Sequence, residues 1–139
     1  MTVGTIYNAF LTRLAKGDMD FDTAALKVML VTSAYAINRD THVFRSDVTN
    51  EVVGAGYTTG GASTAASVAG DNVLDRTNIS LTPATWPSAT ITARAAIVYV
   101  DKGSAATDEL IAYCPFATNE SSVASAFAVA FSQPLRLQG

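Results

Sequence analysis

LKVMLVTSAYAINRDTHVFRSDVTNEVVGAGYTTGG, residues 26–61, is the stretch whose reading decides the fold. It opens on the apolar run Val28-Met29-Leu30-Val31, passes into a long polar segment carrying the only histidine, His42, and closes on Gly54, Gly56, Gly60 and Gly61. Residues 26–35 present apolar side chains on both alternating faces, with Lys27 the one charge. That pattern suits a strand covered on both sides rather than one at a wet edge.

Outward from this block, the periodicity divides the chain. On the N-terminal side, Ile6, Tyr7, Phe10, Leu11 and Leu14 recur at helical spacing, and Gly17 supplies a stop, so a single amphipathic helix is expected over residues 5–16. On the C-terminal side the period is two. Residues 89–100 place Ile91, Ala93, Ala95, Ile97 and Tyr99 on one side against Thr90, Thr92, Arg94 and Val98 on the other. Residues 109–116 and 125–131 read as two more strands, the latter with Phe127, Val129 and Phe131 inward. Turn signals fall at Asp101-Lys102-Gly103, at Thr118-Asn119-Glu120 and from Pro83 to Pro87. Shorter strand candidates are residues 63–68, 72–75, 78–81 and 134–137. Six to eight short strands with one leading helix predict a mainly β fold over residues 1–139 as a single domain, an antiparallel β-sandwich or jelly-roll-like barrel with one N-terminal α-helix.

Composition narrows the function classes. At 139 residues, 49% are hydrophobic and 15% charged, ample material for one core and little charge for a solvated surface, so part of that surface is expected to be covered by partners. The nine Lys and Arg are scattered singly against a net charge of −3. Gripping a phosphate backbone needs clustered cations, so no nucleic-acid partner is expected. The longest apolar runs fall far short of the ~20 residues that span a bilayer, and the N-terminus lacks the pattern of a signal peptide, so no membrane partner is expected. A lone cysteine, Cys114, makes neither an internal disulfide nor a thiolate metal site.

Candidate chemistry is thin. Asp18, Asp20 and Asp22 begin like a calcium loop, but Thr23 and Met29 stand where glycine and the bidentate glutamate belong. A solvated segment is the simpler reading. Cys114 precedes Pro115 inside an apolar run, which favours a buried, inert thiol over a nucleophile paired with His42. The glycines at 54–61 have no following Gly-Lys-Ser/Thr, so turn chemistry explains them better than phosphate binding. Trp86, Tyr57 and Tyr99 could stack on sugar rings, although core packing is the commoner fate of a lone tryptophan. No catalytic residue, cofactor or metal is assigned. Residues 54–70 are poor in large side chains and read either as a mobile surface loop or as an arm held by another chain. The polar segment 38–50 is too long for a tight hairpin and is either self-packed or an interface loop.

Several strings resemble landmarks of a family of small tailed-bacteriophage virion structural proteins: Ile6-Tyr7-Asn8-Ala9-Phe10, Lys27 through Tyr35, Asp40-Thr41-His42, Asp47 through Val52, and Gly54-Ala55-Gly56-Tyr57-Thr58. Thr90 through Ala95, Ile97-Val98-Tyr99 and Leu110 through Tyr113 continue the likeness, while residues 64–85 contribute least. The resemblance implies a non-enzymatic virion component, assembled in the host cytoplasm. Its expected place is as a capsid decoration or cement protein bridging copies of the major capsid protein and associating with itself as a homo-oligomer. A tail or neck component, including a receptor- or carbohydrate-binding module, is the rival. The expected partner contacts are His42, Phe44, Gly54, Gly56, Tyr57, Gly60, Gly61 and Trp86.

Overall fold

The computed structural model describes residues 4–138. Its elements are β1 (Thr5–Ile6), α1 (Asn8–Lys16), β2 (Leu26–Val31), a 3-10 turn (Arg45–Asp47), β3 (Ala62–Thr64), β4 (Ala66–Asp71), β5 (Arg76–Leu81), β6 (Ala84–Val100), β7 (Glu109–Val129) and β8 (Leu135–Gln138). The protein is mainly β, with one short helix and antiparallel pairing in both sheets. One sheet runs β1-β7-β6-β2-β3 and the other β4-β5-β8. Because β1, β3, β4 and β8 end their sheets unpaired on the outer side, the expected barrel does not close.

α1 begins later than residue 5 because Thr5 and Ile6 pair with Tyr113 and Ala112. It ends as expected. Gly17 takes φ 78°, its N–H reaches Leu14 O and the Asp18 N–H reaches Arg13 O, the paired bonds of a Schellman stop.

β2 explains its own composition. Leu26, Val28 and Leu30 enter an apolar cluster with Phe10, Val98 and Ile111, whereas Met29 and Val31 enter a second cluster with Tyr7, Tyr35, Ile97 and Leu110. Both faces of the strand are therefore dry. The first cluster also takes in Ile79 and Leu135 from the smaller sheet, beside Ala84, Trp86, Phe127 and Val129.

The centre of the larger sheet is the β6–β7 hairpin, of 17 and 21 residues. Here the structure corrects the sequence reading three times. Thr118-Asn119-Glu120 is no turn, and the two strands expected at 109–116 and 125–131 are one. The turn signal marks a bulge, since Ala93 opposes Glu120 while Ala95 opposes Pro115. That bulge also exchanges the faces of β6: Ile91 and Ala93 lie in the first cluster with Ala96, Val98 and Val100, whereas Ala95, Ile97 and Tyr99 lie in the second. Arg94 sits at the exchange and donates through Nη1 to Phe116 O. Pro87 is inside β6, where the pairing shifts between Trp86 and Ala89, so residues 83–87 are largely strand.

Residues 72–75 are the turn of the β4–β5 hairpin rather than a strand, with Asp75 at φ 49°. The chain passes between sheets three times, from β3 to β4, from β5 to β6 and from β7 to β8, and the first two crossings are neighbours. Ala65 separates β3 from β4, and Thr82-Pro83 separates β5 from β6. These two crossings are clasped: Thr82 N–H donates to Ala65 O at 3.0 Å, the Ala65 N–H to Thr82 Oγ1 at 2.9 Å, and Thr64 Oγ1 to Thr82 O at 2.6 Å.

Residues 54–70 are not a loose arm. Gly61 (φ 83°) lies so close to β2 that an added Cβ would stand 1.8 Å from Val28 O, and one on Gly56 would stand 1.9 Å from Ser88 O. Small residues here permit backbone-to-backbone approach, after which the segment becomes β3 and β4. Gly61→Ala is expected to cost about 3 kcal/mol or more, from left-handed strain plus the clash. Gly103→Ala, at φ 101° with open space around it, should cost only about 1 kcal/mol. Urea unfolding of the two variants measures the difference.

Candidate interaction surface

Residues 32–48 cover the second face of the larger sheet, and a set of polar contacts gives them and the following residues to 61 a fixed shape. Tyr7, at the start of α1, and Tyr35 are buried, with their hydroxyls 2.9 Å apart. Tyr35 Oη is 2.8 Å from His42 Nδ1, and the Asn38 N–H points to the same nitrogen at 3.3 Å. Asn38 caps the turn in return, its Oδ1 accepting the N–H groups of Asp40 and Thr41, while its carbonyl accepts the His42 N–H. His42 is half-buried and serves as the outer end of a three-residue polar chain. Burial pushes the Tyr7 and Tyr35 phenols above their ordinary range, with their mutual hydrogen bond adding to the rise at Tyr7.

Farther along, Asp47 Oδ2 accepts the N–H groups of Val43 and Phe44, both at 2.9 Å. These two bonds favour the ionised form and hold its carboxyl below the usual range. Phe44 is half-buried and bridges by backbone to Glu109. Arg45 docks the 3-10 turn onto the β6–β7 connection: its Nε lies 2.8 Å from Asp108 Oδ2, its N–H donates to Asp108 O, and its guanidinium stands 5.5 Å from the Tyr99 ring centroid. Asp108 is 1% exposed, and its other oxygen accepts the Lys102 N–H at 2.7 Å.

The glycine segment is fastened by Glu51. Its Oε1 accepts the Tyr57 hydroxyl at 2.8 Å and the Gly60 N–H at 2.7 Å, and Tyr57 Oη accepts the Leu30 N–H of β2. Tyr99 Oη donates to Gly60 O at 2.5 Å, and burial pushes this phenol up to about 12. Tyr57 stacks on Trp86 at 5.5 Å between centroids, and Trp86 meets Phe127 edge-on at 6.2 Å.

The expected contact residues thus separate. His42 and Phe44 share one loop; Gly54, Gly56, Gly60 and Gly61 sit in close approaches to β2 and β6; Tyr57 and Trp86 pack together. Trp86 is 4% exposed and Tyr99 1%, so neither offers a stacking platform for a sugar. Cys114 is fully buried, and desolvation lifts its thiol to about 12, the condition of an inert core cysteine. Asp20 Oδ1 accepts the Asp22 N–H within a turn, and no cluster of three or more potential metal ligands occurs among the described residues. No helix among the described residues is long and apolar enough to cross a membrane.

What the sequence reading missed is an uncharged depression of about 470 Å³ lined by Thr32, Val53, Thr90, Thr92, Ser121 and Val123, among others. Val53 is 93% exposed and Val123 76%. The signal in the sequence is faint: Val52-Val53 is an apolar pair in a polar segment, and Val123 is one valine among serines and alanines. No protein-family model matches this chain, and no curated protein or solved structure matches it either.

Arg45→Met, which leaves Asp108 buried without its cation, should destabilise the fold by about 3–5 kcal/mol in urea unfolding. Asp47→Asn should flatten the acid limb of the stability curve. Since the folded pKa of Asp47 lies below its unfolded value, its contribution is complete above about pH 4 and is lost as pH falls through the folded value. Urea melts at stepped pH would register the difference, which should vanish below the folded pKa.

Proposed function

We propose that this chain is a non-enzymatic virion structural protein of a tailed bacteriophage, acting as a capsid decoration or cement protein. The reading rests on the resemblance carried by residues 6–10, 27–35, 40–42, 47–52, 54–58, 90–95, 97–99 and 110–113. The observation that supports it further is the uncharged depression flanked by the exposed Val53 and Val123, because two aliphatic side chains beside one uncharged hollow offer apolar area that a partner protein could bury. Cementing requires a stiff body that bridges shell subunits, and many symmetric copies multiply a modest contact. The polar fastenings around Glu51, Asp47 and Asp108 supply stiffness of that kind. The same reading takes the two sheets as face-packed layers of a β-sandwich, supported by the apolar cluster that Ile79 and Leu135 share with Trp86 and Phe127.

A tail or neck position remains the rival location, since it would use the same uncharged surface. A sugar-binding role loses support with Trp86 and Tyr99 in the core.

Purified protein added to phage shells lacking it should bind saturably at repeated positions on the outer shell, visible as added density. Val53→Asp with Val123→Asp should weaken that binding about tenfold or more, with little change in folding stability. Density on tails alone would move the protein to the rival location. Absence of binding to any virion part, or turnover of a substrate, would overturn the reading.

A further inference from the structure

We infer that the outer edge of β7 over residues 125–129 pairs antiparallel with the same edge of a second copy of this chain. β7 is 21 residues long, yet on the side away from β6 its paired residues among those described are Glu109, bridged by Phe44, and Ala112 and Tyr113, matched by Ile6 and Thr5 of β1. Past Tyr113 no strand among the described residues lies beside that edge. A strand edge of this kind is a template for another strand.

Proteins commonly blunt such edges with lysine, proline or an inward charge. Residues 117–130 contain one ionisable side chain, Glu120, and no proline, lysine or arginine. The bulge near Ala124 (φ 45°) precedes the run in question. From Phe127 to Val129 pairing with β6 is regular, Trp86 facing Phe127, Thr85 facing Ala128 and Ala84 facing Val129. Along this run lies a groove of about 310 Å³ bounded by Phe116, Phe127, Ala126 and Ala128. Phe116 is half-buried, 6.3 Å from Phe127 between ring centroids, so an added strand would cover an aromatic side chain that the chain alone leaves partly wet.

Any strand could satisfy the backbone; charge and symmetry select a second copy. A two-fold axis at Phe127 sets Ser125 against Val129 and Ala126 against Ala128, with the exposed alanines small enough for close approach and Glu120 outside the paired run. Residues 125–129 carry no charge for an unlike partner to complement, and their own reversal brings no like charges together, while Glu120 lines the groove beyond the end of the paired run.

This inference does not rest on the virion reading: a chain that pairs with itself but ignores shells keeps the one and loses the other. Sedimentation velocity over a concentration series should show the native chain dimerising, and Ala126→Lys with Ala128→Lys, which gathers four ammonium groups at the seam, should weaken dimerisation about tenfold or more. Unchanged Trp86 emission would establish that the variant is folded. As a second measurement, Ala126→Cys and Ala128→Cys proteins mixed under mild oxidation should form disulfide-linked pairs faster than either alone, because those positions face each other across the seam. A native chain that stays monomeric, a dimer indifferent to the two lysines, or cross-linking no faster in the mixture would each overturn the proposal.

Discussion

The structure depends on burying β2 on both faces. A six-residue strand with five apolar side chains cannot sit at a wet surface, and the two clusters it divides need separate covers. One is supplied by α1, the far half of the β6–β7 hairpin and the smaller sheet; the other by the chain between Thr32 and Val48, with Tyr35, Ile37 and Val48 against Met29 and Val31. The long polar segment is therefore a cover. Its polar groups would be costly over an apolar floor if left unmet, which is why Asn38, His42, Asp47 and Arg45 each bond to the protein itself.

The glycine-rich segment follows from the same constraint. β2 is hydrogen-bonded to β6 on one side and β3 on the other, and the chain reaches β3 by passing almost in contact with Val28 and Ser88. Side chains at positions 56 and 61 would prevent the approach. Glu51 and Tyr57 then hold the passage by binding Gly60 and the backbone of β2.

Much of this was legible in the sequence. The mainly β antiparallel fold, the amphipathic helix ending at Gly17, the two-faced β2, the inward Phe127 and Val129 and a strand just after Pro134 all follow from local periodicity. What escaped depends on pairing between distant segments. Thr118-Asn119-Glu120 carries turn chemistry, but the 21-residue strand absorbs it as a bulge because β6 continues on the other side. The exchange of faces at Arg94 breaks the alternation that a period of two assumes, and no local signal marks it. Small residues at 54–70 suggested a mobile loop or a partner-held arm, whereas the smallness of Gly56 and Gly61 is what lets two backbones touch. The fastenings of His42, Asp47 and Arg45 join residues up to 63 apart in sequence. The depression beside Val53 and Val123 exists only once β6, β7 and the chain after Glu51 have been brought together.

The placement of Trp86 has a practical consequence. As the single tryptophan, near Phe127 of the long hairpin and in one cluster with Ile79 and Leu135 of the smaller sheet, it is an intrinsic optical reporter of whether the two sheets remain in contact. Four of the five tyrosines, Tyr7, Tyr35, Tyr99 and Tyr113, lie in or against the other cluster while Tyr57 stacks on the indole, so ultraviolet absorbance of tyrosine weights that half of the core and emission from the indole reports the first. A molecule that loosened one layer before the other would reveal that order to a fluorimeter without any label attached.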